Sequence, residues 1–171
     1  MLGDTVELID RSPPRLLITG RTSYFLSAFG EHLTAQEIEE AIAGSAAAIG
    51  AAVNDFSVAP IYPEREGARG GHLFLVEFAG EPPASSAIES FAEHLDKAFL
   101  DTNEDYVTHR AGGYGMHAPQ IRVVAKGGFA AWMKARGRLG GQHKVPRVIT
   151  DPELFRQLLD FMDHHQIPGG R

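Results

Sequence analysis

The stretch HLFLVEFAG, residues 72–80, limits the fold more than any other part of the chain. Its apolar residues follow one another almost without a break, and a strand of that kind suits cover on both faces. Segments with helical periodicity lie on either side of it. In TAQEIEEAIAGSAAAIG, Thr34 and Glu37 have capping-box spacing, Ile38, Ala41, Ile42 and Ile49 share one face, and Gly50 can end the helix. After GEPPAS, Ser86 and Glu89 repeat the capping-box spacing. There Ile88, Phe91, Leu95 and Phe99 form a buried stripe, with Glu93, Asp96 and Lys97 pointing away from it.

The remaining segments fill in a small sheet. Val6 and Leu8, the turn RSPP and then RLLITG read as two strands of a leading hairpin. VNDFSVAPIYP reads as a strand closed by Pro63, and QIRVVAKGG as a third core strand. Between them, DTNEDYVTHRAGGYGMHAP is polar, with a short helix and a glycine-rich loop. GFAAWMKARGRLGG places Phe129, Trp132, Met133 and Arg136 at helical spacing. DPELFRQLLDFMDHH is the last helix, with Asp151 as cap, Pro152 at its first position and a stripe of Leu154, Phe155, Leu158, Leu159 and Met162. The expected fold class is α/β, an α+β sandwich: a small mixed sheet flanked by helices and preceded by a β-hairpin.

Composition narrows the function. A chain of 171 residues with 43% apolar and 22% charged residues suits one well-cored domain. The net charge of −6 and the lack of any basic block argue against nucleic acid or an anionic membrane as the main partner. With no cysteine, disulfides, zinc-thiolate sites and a cysteine nucleophile are excluded. MLGDTVELID has neither the basic start nor the apolar run of a signal peptide, so the expected location is cytoplasmic. LGDTVELID enters at once on a Gly-Asp turn and a strand, as a chain met mid-fold would. A fragment of a longer protein and a short gene product both fit that beginning.

Few motifs carry chemistry. GARGG, able to cradle a phosphate, lies between two strand-like runs and reads better as a hairpin turn. AGGYG lacks the third glycine and preceding strand of a dinucleotide fingerprint, and no Walker A loop or G-x-S-x-G occurs. The eight histidines form no convergent ligand set: His164 and His165 are adjacent on a helix, and His109 and His117 flank the glycine loop. No metal site is expected. QHKVPR is more specific. Pro146 keeps Val145 out of the helical region, so Lys144 and Arg147 sit on a stiffened backbone. An anion clamp and an ordinary exposed loop both account for it.

Two separated blocks, in order, resemble one family. LGDTVELI, then PRLLITGRTSYFLSAFGEHLTAQEIEEAI, is similar to the start of the small C-terminal domain of the Gretchen Hagen-type acyl-acid amido synthetases. These are also called the auxin-responsive promoter family, and belong to the acyl-adenylate-forming superfamily. DYVTHRAGGYGMHAPQIRVVAKGGFAAWMKARGRLGGQHKVPRVI fits the same family through Tyr106 and Arg110, a GGF helix start and the closing Gln-x-Lys-x-Pro-Arg. The resemblance implies an ATP-dependent ligase, with Mg2+ in the full-length enzyme, that joins a small carboxylic acid to an amine through an acyl-adenylate. It implies a large N-terminal adenylation domain as partner. Residues 1–20 would be the end of the adenylation motif with the leading hairpin and hinge, and residues 21–171 the small lid domain. ATP is not expected to bind tightly to this chain alone, nor is the chain expected to be an active ligase by itself.

The resemblance also assigns residues. Asp4 matches the Gly-Asp motif whose carboxylate binds the nucleotide ribose, and Arg21 the Gly-Arg-x-Asp hinge motif, with Ser23 replacing the hinge acid. In SAFGEHLT, His32 stands where family members commonly carry a lysine available to the α-phosphate. Lys144 and Arg147 match the closing motif. His32 and Lys144 are the catalytic candidates; Asp4, Arg21 and Arg147 are the nucleotide-binding ones. The alternative is a stand-alone, non-catalytic α/β binding or interaction module, which Ser23 and His32 would suit.

Overall fold

The computed structural model describes residues 4–21, 25–65, 68–111, 115–137 and 144–164. Strands β1 (Asp4–Arg11) and β2 (Pro14–Arg21) form an antiparallel ribbon, followed by α1 (Ala35–Ala48), β3 (Val53–Ile61) and β4 (Gly71–Phe78). Then come α2 (Ser85–Thr102), α3 (Glu104–Ala111), β5 (Gln120–Val124), α4 (Gly128–Ala135) and α5 (Pro152–His164). The main sheet has the order β3-β4-β5, antiparallel between β3 and β4 and parallel between β4 and β5. It is the mixed sheet expected, with the leading hairpin forming a second sheet of its own.

β4 is the central strand, and both its faces are covered. Because successive side chains of a strand point to opposite faces, Phe74, Val76 and Phe78 enter one core with α1, α2 and Tyr106 of α3. Leu75 enters the other with Phe129, Trp132 and Met133 of α4 and Phe155 and Leu158 of α5. Burying each large apolar side chain contributes about 1.5–3 kcal/mol, so the two cores account for the pairing of helices with faces. Beyond β3, Val58 N–H donates to Arg147 O (2.8 Å) and Ile149 N–H to Val58 O (2.8 Å). This short parallel bridge extends the sheet past its own strands.

Local signals match the elements at most ends. Thr34 and Glu37 form a reciprocal capping box, Gly50 takes φ +68° after α1, and Asp151 Oδ1 accepts from Glu153 and Leu154 N–H at the start of α5. Ser86 and Glu89 do not form the expected second box. α2 begins at Ser85 with Ala84 as its cap and no side-chain capping bond. Ser86 therefore already lies within the first turn, past the position from which a cap reaches forward.

Asp96 also departs from expectation. It does not point into solvent: α3 folds back over α2, so that Arg110 Nε and Nη2 donate to its two carboxylate oxygens (2.9 and 2.7 Å). The hydroxyl of the fully buried Tyr106 donates to Asp96 Oδ1 at 2.7 Å. Burial first, and then this hydrogen bond, push the Tyr106 hydroxyl well above its ordinary pKa. Tyr106 and Arg110, noted in the sequence as a pair, thus converge on a third residue that staples α3 to α2. Removing the acceptor leaves three donor groups unpaired, so Asp96→Ala is expected to cost about 2–3 kcal/mol and Tyr106→Phe about 1 kcal/mol. Urea denaturation followed by circular dichroism checks that order.

Candidate functional site

The segment SAFGEHL folds around a buried carboxylate. Glu31 is 0% exposed and accepts from Ala28 N–H (3.1 Å), Phe29 N–H (2.8 Å) and the Nε2 of His72 (2.8 Å), itself 1% exposed. His72 is the second residue of β4, so the loop is tied to the central strand. Leu26 and Leu33 close the loop with two backbone hydrogen bonds of 2.9 Å. Two glycines allow the close fit. A Cβ on Gly70 would stand 2.4 Å from the Phe29 ring and 2.8 Å from Ile61 O, and one on Gly30, at φ +98°, 2.7 Å from His109 Nε2.

His32 sits at the exposed turn of this loop with a left-handed backbone, φ +44°. Its neighbours on both sides are held, Glu31 by His72 and Thr34 by the α1 capping box. Its Nδ1 lies 3.1 Å from Asp105 Oδ2 of α3, and both side chains are well exposed, 63% and 60%. Asn103 Nδ2 reaches the His32 carbonyl (3.5 Å) and Glu37 Oε1 (3.2 Å), while Asn103 Oδ1 accepts from Tyr106 N–H (2.7 Å).

Lys144 is exposed and, among the described residues, has no ion pair or hydrogen bond. The segment after it is pinned. Ser57 Oγ donates to Pro146 O (2.6 Å), and Arg147 donates to Asp55 and to Phe56 O (3.2 Å). The Arg147 guanidinium lies 4.4 Å from the centre of the Phe56 ring and 3.4 Å from Glu39 of α1. Two acids therefore already balance its charge. Gly140, Gly141, Gln142 and His143 lie outside the described residues, as does Ser23.

Asp4 and Arg21 are brought together as register partners at the open end of the β1–β2 ribbon. No hydrogen bond or ion pair links His32 to Lys144 among the described residues, and Asp4 and Arg21 belong to a separate two-stranded sheet, so the candidates form three separate stations. No three histidines, aspartates or glutamates among the described residues are placed to hold a metal. No helix among them is long and apolar enough to cross a membrane.

Sequence reasoning missed Glu31, His72 and Asp105. The available signal was His72 itself, a titratable residue at the head of an apolar strand, since a polar group buried there requires a partner. Glu77, in the same strand, is buried for a similar reason: it accepts from Asn54 Nδ2 (2.7 Å) and from Phe129 N–H (3.3 Å) at the start of α4.

The architecture is that of a small α/β domain whose polar loops are tied to a doubly covered sheet. Residues 36–153 match the model of the GH3 family C-terminal domain. The chain belongs to that family, and the resemblance read from its motifs is borne out. Among solved structures it is similar to GH3.15 acyl acid amido synthetase, with a TM-score of 0.76 and 17% identity over 96% of this chain and 30% of the other. A second structure of that protein, in complex with 2,4-DB, matches with a TM-score of 0.71 and 18% identity, covering 92% of this chain and 29% of the other. A 2-hydroxyisobutyryl-CoA ligase in the postadenylation state, in complex with R3-HIB-AMP, matches with a TM-score of 0.51 and 20% identity, covering 95% of this chain and 31% of the other. The chain thus spans about 30% of the length of the solved structures it resembles. A comparison with curated protein sequences finds no match.

The buried Glu31 gives a pH-dependent prediction. Burial raises its pKa, but the His72 hydrogen bond and charge, with backbone N–H donors, outweigh burial and hold it below the ordinary 4.5. A carboxyl depressed on folding contributes stability above its unfolded pKa and loses it as pH falls through the folded value. Glu31→Ala is therefore expected to cost about 3–5 kcal/mol at neutral pH. Urea midpoints of the two proteins, measured from pH 7 down to pH 3, should converge only below the ordinary carboxyl range.

Proposed function

We propose that this chain is the C-terminal lid domain of an ATP-dependent acyl-acid–amine ligase, acting with a large adenylation domain of which it carries at most the last motif. The observation that carries the reading is the match of most of the chain to the GH3 C-terminal domain, together with a fold shared over 96% of this chain and 30% of its structural relative. Residues 1–20 serve as the end of the adenylation motif and the hinge, and residues 21–171 as the lid. ATP, with Mg2+, activates a carboxylic acid as its adenylate, and an amine then displaces AMP.

The three stations take separate parts. Asp4 and Arg21, opposite each other on the ribbon, contact the ribose side of the nucleotide. Lys144, exposed and unpaired among the described residues, meets the nucleotide's phosphate. Arg147, held by Asp55 and Glu39, secures the segment that presents it. His32 approaches the α-phosphate from the other loop. Closure of such a lid separates one half-reaction from the next.

A non-catalytic interaction module is the second reading, favoured by histidine at position 32 where the resemblance leads to lysine. ATP–pyrophosphate exchange distinguishes them in the protein that joins this domain to its adenylation domain, where the lid reading expects exchange to depend on Lys144 and the module reading does not. The 171-residue chain alone is expected to show none, and exchange by it would overturn the lid reading. In the protein that joins this domain to its adenylation domain, Lys144→Ala is expected to slow adenylate formation about 10²-fold with an unchanged urea midpoint. Unchanged rates of both adenylate and amide formation would reduce Lys144 to a loop residue.

A further inference from the structure

We infer that His32 and Asp105 form a general-base dyad that deprotonates the incoming amine in the second half-reaction. The inference rests on the lid reading, and it gives His32 a chemical step beyond contact with phosphate.

The geometry sets the tautomer. A carboxylate only accepts hydrogen bonds, so Asp105 Oδ2 at 3.1 Å draws the imidazole proton to Nδ1. Nε2 then carries the lone pair. An aspartate on one nitrogen and a free base on the other is the division of labour that acid–base histidines require. A lysine here would bring a positive charge, but it would be protonated at neutral pH and unable to take up a proton.

The structure maintains this geometry at some cost. His32 occupies the left-handed region, uncommon for a residue with a side chain. It is held there by Glu31 and the buried His72 on one side and by the α1 capping box on the other. Gly30 lets the loop approach α3 closely, against His109, whose Nδ1 is occupied by Asp105 O at 2.7 Å. Asn103 holds the His32 carbonyl from the end of α2. Of the titratable groups on the elements that meet this loop, Asp105 contacts the ring, His109 lies against Gly30, Glu31 is engaged by His72, and Glu37 of α1 by Thr34 N–H and Asn103.

The position suits the chemistry. In an acyl-adenylate the acyl carbon is joined to the α-phosphorus through a single oxygen, so a side chain that reaches one is beside the other. The amine arrives mainly as the ammonium ion at neutral pH. Nε2 takes one proton, and the freed nitrogen lone pair forms a bond to the acyl carbon. The bond between that carbon and the phosphate oxygen breaks, and AMP leaves with the electron pair. The second amine proton, made acidic by bond formation, passes to water, and the imidazolium returns its own proton to solvent.

The test uses the protein joining this domain to its adenylation domain, and compares wild type with His32→Gln and Asp105→Asn. ATP–pyrophosphate exchange reads the first half-reaction, and amide formation from a preformed acyl-adenylate reads the second. His32→Gln is expected to slow amide formation at pH 7 by about 10²-fold, and Asp105→Asn by less. Both losses should shrink as pH rises and the amine deprotonates itself. With hydroxylamine, largely unprotonated at neutral pH, the loss in both variants should shrink several-fold relative to that with the protonated amine. Because both side chains are exposed, urea midpoints should not move. Equal losses with hydroxylamine, or a loss independent of pH, would overturn the dyad as a base. Normal exchange with unchanged amide formation would overturn it while leaving the lid reading intact. Absence of exchange and ligation in the wild-type protein would sink the lid reading, and the dyad with it.

Discussion

Burial of β4 on both faces is the constraint on which the rest of the structure depends. Its peptide groups are shared between an antiparallel neighbour and a parallel one, and its alternate side chains enter two different cores. No part of the strand is left to hydrate a polar side chain, so each one it carries must be met by protein. His72, at one end, draws in the 26–33 loop through Glu31. Glu77, at the other, draws in Asn54 and the first turn of α4. The strand thus positions parts of the molecule distant in sequence, through two hydrogen-bonded carboxylates rather than through apolar contact alone.

The exposed polar residues depend on these anchors. His32 is held in an unfavourable backbone conformation because residues on both sides are committed elsewhere. Lys144 precedes a segment fixed by Ser57, by the Val58 bridge and by an arginine lodged between Asp55, Glu39 and the Phe56 ring. In each case a solvent-exposed group rides on a backbone that has little freedom. Under the proposed lid function, a backbone already fixed in this way spares the entropy cost of ordering the loop on contact.

Much of the fold was legible because its signals are local. The capping box at Thr34, the proline after Asp151 and the apolar run of β4 each act within a few residues. The failures came where one element closes over another. The capping-box spacing at Ser86 and Glu89 is real, but α2 starts two residues earlier than that box implies, at Ser85 with Ala84 as its cap. Asp96 occupies the polar side of an isolated α2, and only the return of α3 makes that side an interior. Glu31 looked like one more loop acid because its partner lies 41 residues on.

By itself, the sequence determined the class of fold, the family and the identity of the exposed cations. Periodicity, caps and turn residues operate at short range, and the family motifs are contiguous strings. Tertiary structure alone decided which charges are spent and which are free. Arg147 and Lys144 stand three residues apart and look alike in the sequence, yet one is matched by two acids and the other is left to solvent. It also decided that His32 meets Asp105, 73 residues away. The physical reason is that charge pairing depends on distance through space, which the chain acquires only when its two cores close on β4.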